Sequence, residues 1–176
     1  GHYEKAARIL PSLLEKTDEI SLRKLYYFVL TDLSVMAEHD GRASDARSYY
    51  EKMIDVTLTT AKMEGTAAAR WDLVTACYLL ADLSKREKKY AEAAARYAHA
   101  IQAAPPITKD TAHYDLDILA VAHYNSGLFA TDREVKRAYW KRAVDIYEIL
   151  SLKYPEAEKY KSNATAIAKA LAELPS

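Results

Sequence analysis

One spacing recurs along this chain and limits what it can fold into. A small or apolar residue is followed four residues later by a bulky one, and then at plus three and plus four by two more apolar positions. The pattern reads Ala6, Leu10, Leu13, Leu14; then Ala46, Tyr50, Met53, Ile54; then Ala93, Tyr97, Ala100, Ile101; and, less well, Lys136, Trp140, Ala143, Val144. Steps of three and four are the period of an α-helix, not of a strand. The bulky members fall 40, 47 and 43 residues apart, a repeat length typical of helical pairs stacked in an array. Four glycines and five prolines in 176 residues leave little material for turns, so the elements between them must be long.

The breakers divide each period into two helices, expected near 3–17, 21–39, 42–63, 67–87, 89–104, 111–129, 133–153 and 156–173. Gly41 parts the second from the third, Gly65 with Thr66 as N-cap parts the third from the fourth, and Pro105-Pro106 ends the fifth. Asp132 is suited to cap the helix opening "REVKRAYW", and Pro155 ends "YEILSLKY". Pro11 lies inside the first helical pattern, so that helix is kinked there or begins there. Where helix pairs stack, a face must approach two neighbours at once. Alanine permits the close approach, and a single ring fills the space left beside it. The rings of Tyr50 and Tyr97 are read as packing groups whose hydroxyls reach the helix edge.

A chain of this length buries about 70% of its unfolded surface, so no staples are needed. With 25 basic and 25 acidic residues the net charge is zero, and no overall field draws in nucleic acid or an anionic membrane. The basic runs "SKREKKY" and "KRAYWKRA" have acidic neighbours such as Glu87 and Asp145 and read as solvated faces rather than nucleic-acid contacts. Cys77 is alone, which excludes an internal disulfide and suits a small buried apolar residue. The chain has no apolar run of 18 residues, and "GHYEKAARIL" lacks a signal-peptide core, which makes a cytoplasmic location the expectation.

Two stretches, "HDGRASDARSYYEKMI" and "REKKYAEAAARYAHAI", resemble tetratricopeptide repeats. Gly41, Ala46 and Tyr50, with Met53 last, match the second-helix pattern of that family, as do Tyr90, Ala93, Tyr97 and Ala100, with Lys88 where glycine is usual. Ser34 and Ala81 take the small position of the first helix, after Leu33 and Leu80. In the looser unit around Trp140, Lys136 stands where alanine is expected, and the small position falls on Tyr124 or, given a linker three residues longer, on Gly127. The resemblance implies an all-α, right-handed α-solenoid of stacked antiparallel helix pairs. It would be one domain over 1–176: a partial unit 1–19, repeats 20–65, 66–106 and 107–154, and a capping helix 155–176. The long spacing implies a long-repeat subclass, with each helix extended by about a turn.

By the same resemblance the first helix of each pair lines a concave groove. Its exposed positions would be Thr31, Val35 and Glu38, then Tyr78, Asp82 and Arg86, then Val121, Asn125 and Leu128. These are the expected partner-binding residues. The family's carboxylate clamp is not expected, because Val35 and Asp82 stand where asparagine is required and only Asn125 fits. His113 and Asp117 lie four apart on one helix face, but two ligands without a third do not make a metal site. His113 and His123 sit about 80° apart around a helix and do not converge. No phosphate-binding loop, nucleophile motif or convergent acid–base pair is present, so neither catalysis nor a cofactor is expected. The expected function is a scaffold holding a protein or peptide partner, with a ligand-gated regulatory module of a larger protein as the alternative. The stacking argument makes one prediction: Ala100→Leu overpacks the interface and lowers stability by about 1–3 kcal/mol in a chemical melt.

Overall fold

The spacing is realised as eight helices in the computed structural model, which describes residues 1–175. They are α1 (His2–Leu14), α2 (Ile20–His39), α3 (Ala43–Glu64), α4 (Ala67–Arg86), α5 (Tyr90–Ala103), α6 (His113–Phe129), α7 (Arg133–Lys153) and α8 (Glu158–Ala172), with no strand among the described residues. Each helix packs against the next in the chain, and α4 also packs against α6, as in an α-solenoid-like helical repeat. Pro11 sits inside α1 and does not begin it.

The repeated positions form the core. Ala46, Tyr50, Met53 and Ile54 are buried, as are Ala93, Tyr97 and Ala100, and Trp140 with Ala143. Tyr97, 0% exposed, lies 6.2 Å from the Tyr78 ring and 6.3 Å from that of Phe129. Its hydroxyl does not reach an edge as expected; it is enclosed without a hydrogen-bond partner, because rings from both flanking first helices close over it. Burial pushes the Cys77 thiol up to about 12, leaving it a packing group. His123 is also enclosed, with Nδ1 unpartnered, and burial together with Arg142 pushes it down to about 4. The first unit is weaker: Leu10 is buried, but Leu13 is exposed on the outer side of α1.

The third unit departs from the first two without any change in linker length, since three residues separate α2 from α3, α4 from α5 and α6 from α7 alike. Tyr124 therefore holds the register of Ser34 and Ala81, and Gly127 that of Ala37 and Ser84. The large residue at a small position is accommodated by a paired change. Trp140 stacks on Tyr124 at 6.2 Å, donates Nε1–H to the Tyr124 carbonyl at 3.1 Å and lies over Gly127. A Cβ on Gly127 would come within 2.3 Å of the indole, so nothing larger than glycine fits. Lys136, in the alanine register, places Nζ 5.7 Å from the centre of the same ring. The extra turn expected of every helix is absent from α5, which has 14 residues; its unit is lengthened by the 104–112 linker instead.

The helix ends follow local chemistry. Thr66 accepts a hydrogen bond from the Ala69 amide and Asp132 from that of Val135, as expected of N-caps. After α2, Gly41 is left-handed at φ 73°, with the Arg42 amide bonded to the Ala37 carbonyl and the Gly41 amide to that of Glu38. After α4 the same turn recurs with Lys88 at φ 61°, the Lys89 amide bonded to the Ser84 carbonyl. A side chain at this angle strains the backbone. Lys88→Gly is accordingly expected to raise stability by about 1 kcal/mol, read as a higher urea midpoint at unchanged m value.

Candidate protein-binding face

The even-numbered helices are joined to one another by polar bonds between successive units. Arg86 on α4 pairs with Glu38 on α2 at 2.6 Å and with its own neighbour Asp82 at 3.2 Å. Lys85 on α4 donates to Asn125 Oδ1 on α6 at 3.2 Å. Asp117 on α6 pairs with Lys159 on α8 at 2.9 Å, and His113 Nε2 meets the Tyr160 hydroxyl. The odd-numbered layer is tied in the same way, where Arg47 on α3 binds Glu92 on α5 and, at 2.7 Å, Glu87 in the turn before it. His113 and Asp117 thus hold the last helix to the array, and among the described residues no group of three or more His, Cys, Asp or Glu side chains is placed to hold a metal ion.

The nine positions singled out from sequence do not share one environment. Thr31, Tyr78 and Val121 occupy the same register in α2, α4 and α6 and are all half-buried, which lines up one face across three helices. Val35 and Leu128, 60% and 44% exposed, are open to solvent. Glu38, Asp82 and Arg86 form the inter-repeat ion-pair group. Asn125 is not an exposed position: it is 2% exposed, donates to the Val121 carbonyl at 2.9 Å and accepts from Lys85, so the stacking of α4 on α6 covers it.

Sequence reasoning missed the residues that shape the start of this face. Arg70 donates through Nε and Nη2 to the Ala103 and Ala104 carbonyls, both at 2.9 Å, satisfying the end of α5 and fixing where the Pro105-Pro106 linker leaves it. The linker then turns on Thr111, whose hydroxyl oxygen accepts from the Thr108 amide at 2.8 Å. Between this linker and the first turns of α4 and α6 lies a cleft of about 440 Å³ lined by Trp71, Asp72, Pro106, Asp110, Thr111 and Asp115. Burial holds the Asp72 and Asp115 carboxyls above the usual range, and Asp115 raises Asp72 further against a lowering influence from Lys24. Tyr27 and Tyr78 are also pushed up, mainly by burial, with Asp72, Tyr114 and Asp115 acting on the first and Asp82, Tyr114 and Asp117 on the second. Groups from α2, α4 and α6 therefore share one electrostatic environment. Among the described residues no helix is long and apolar enough to cross a membrane.

No family model matches the chain, and no curated protein matches it. Among solved structures, that of BtubC (BKLC) from P. vanneervenii aligns at a TM-score of 0.48 and 16% identity, over 99% of this chain and 73% of the other. A likeness at that level fixes neither family nor function.

Stability measurements will separate the two kinds of position on this face. Asn125→Ala removes a buried, doubly bonded side chain and is expected to cost about 1–3 kcal/mol. Val35→Ser and Leu128→Ser, at open positions, are expected to stay within about 0.5 kcal/mol of the parent in urea titrations.

Proposed function

We propose that the chain is a non-catalytic interaction scaffold of tetratricopeptide type, holding a peptide or partner segment against the face made by α2, α4 and α6. The supporting observation is the register identity of Thr31, Tyr78 and Val121, which repeats one half-buried position across three successive helices. Such a face offers rigid side chains at fixed spacing, which suits a partner bound by a few apolar anchors with polar contacts around them. Rigidity comes from the inter-repeat bonds already described, so little conformational freedom need be lost on binding. Val35 and Leu128 supply exposed apolar surface at two points of the same helices.

The test is affinity capture from a lysate of the source organism, read by mass spectrometry, with the parent beside a Val35→Arg, Leu128→Arg variant. Both changes are at open positions, so circular dichroism should match the parent. A partner retained by the parent and lost by the folded variant is the expected result. Equal retention by both removes the α2–α4–α6 face from the proposal, and substrate turnover by the purified chain removes the non-catalytic reading.

A further inference from the structure

The basic run "KRAYWKRA" reads from sequence as a solvated face, and two of its cations have local partners. Lys136 lies over the Trp140 ring, and Arg137 pairs with Glu134 at 3.6 Å. Arg142 is placed differently. The carboxylate paired with it, Asp145, is 3.7 Å away on the same helix, beyond hydrogen-bond length. Arg142 also lines a second cleft of about 440 Å³, bounded by α5, the 104–107 linker, α6 and α7. Arg70 and His123 line the same cleft, and among the described residues no acidic side chain does. Arg70 holds the Ala103 and Ala104 carbonyls through Nε and Nη2, which fixes its guanidinium and leaves Nη1 without a partner. His123 is 9% exposed, its Nδ1 is enclosed, and neither ring nitrogen has a hydrogen-bond partner among the described residues. The Tyr139 ring of α7 stands 5.9 Å from it. Burial first, and then Arg142, push His123 down to about 4, so at neutral pH it meets the cleft as an uncharged hydrogen-bonding ring. A buried imidazole without a partner lowers stability. Beside two guanidiniums and no lining carboxylate, it belongs to a set of donors that lacks an acceptor.

We infer that this cleft binds a small organic phosphate monoester, with the phosphate between Arg70 and Arg142 and within hydrogen-bond reach of His123, and the organic part against Ile101, Pro106 and Leu119. Two guanidiniums are matched by a dianion, whereas a carboxylate leaves one charge over, and the planar fork of arginine suits phosphate oxygens. The apolar wall and the volume of the cleft suit a ligand larger than a bare ion. The two carbonyl bonds of Arg70 set one cation in place before any ligand arrives, so little ordering is lost on binding. His123 lies two residues, about 200° of helical turn, from Val121, which puts the cleft on the side of α6 turned away from the proposed scaffold face. The site is therefore independent of that reading.

The experiment adds four probes to the whole chain at neutral pH: phenyl phosphate, inorganic phosphate, phenylacetate and an end-capped Gly-phosphoserine-Gly tripeptide. Binding is followed by amide and imidazole chemical shifts. Phenyl phosphate is expected to bind tightest, with shifts centred on Arg70, Leu119, His123 and Arg142. Arg142→Gln, at a side chain 49% exposed, is expected to keep the urea midpoint of the parent and to weaken binding at least tenfold. His123→Phe, which keeps a ring in place, is expected to weaken it severalfold, and Asp145→Asn, which frees Arg142, to leave it as tight or tighter. No shifts at the cleft, equal binding of phenylacetate, unchanged affinity in Arg142→Gln or weaker binding in Asp145→Asn would each overturn the inference. Inorganic phosphate binding as tightly as phenyl phosphate would reduce the cleft to a bare anion site, and tighter binding of the tripeptide would reassign it to a phosphorylated polypeptide; either result overturns it. The two proposals fail separately, because the Val35→Arg, Leu128→Arg variant is expected to bind phenyl phosphate as the parent does whether or not it loses a captured partner.

Discussion

Everything in this molecule depends on how closely successive helices approach. Ala46, Ala93, Ala100 and Ala143 have no accessible surface, and a ring from Tyr50, Tyr97 or Trp140 fills the space beside them. Interiors pack at the density of organic crystals, so the small residue and the ring are one unit: enlarging the first or shrinking the second moves a whole helix. The third repeat shows how far that unit can be altered. With Tyr124 at a small position, the Trp140 indole stacks on the Tyr124 ring and lies over Gly127, where a Cβ would collide with it.

Once the spacing is set, polar groups on neighbouring units come within reach of one another. Glu38 with Arg86, Lys85 with Asn125 and Asp117 with Lys159 each span two units of the even-numbered layer. Partly exposed pairs of this kind contribute about 1 kcal/mol or less each. Their effect is to select one register of packing against its neighbours, and they occupy several groups that would otherwise meet a partner. Among the described residues left without such partners on these helices are the open apolar positions Val35 and Leu128 and the carboxylates Asp72 and Asp115.

Helical class, helix limits and core were legible in the sequence because each depends on residues a few positions apart. The steps of three and four, the caps at Thr66 and Asp132 and the turn at Gly41 are local matters, whereas the sequence marked Lys88 only as standing where glycine is usual, and its left-handed φ of 61° belongs to the structure. The candidate face was legible only in part. The register of Thr31, Tyr78 and Val121 follows from the repeat, but Asn125 looked exposed on a helix taken alone and is covered by α4. The Tyr97 hydroxyl was read as reaching an edge, yet the Tyr78 and Phe129 rings that enclose it come from different units.

By itself, then, the sequence determined a stacked all-helical array, where its helices begin and end, and which side chains fill the spaces between them. Hydrophobic periodicity and capping act within one or two turns, so these outcomes rest mainly on neighbouring residues. Tertiary structure alone decided which polar side chains are free. Arg70 reaches carbonyls more than thirty residues away, Arg86 and Lys85 are claimed by partners on α2 and α6, and Asp72 meets Asp115 only because α4 and α6 lie side by side. A charge is paired or unpaired according to what the fold brings within a few ångströms of it, and that distance is not a property of any local stretch of chain.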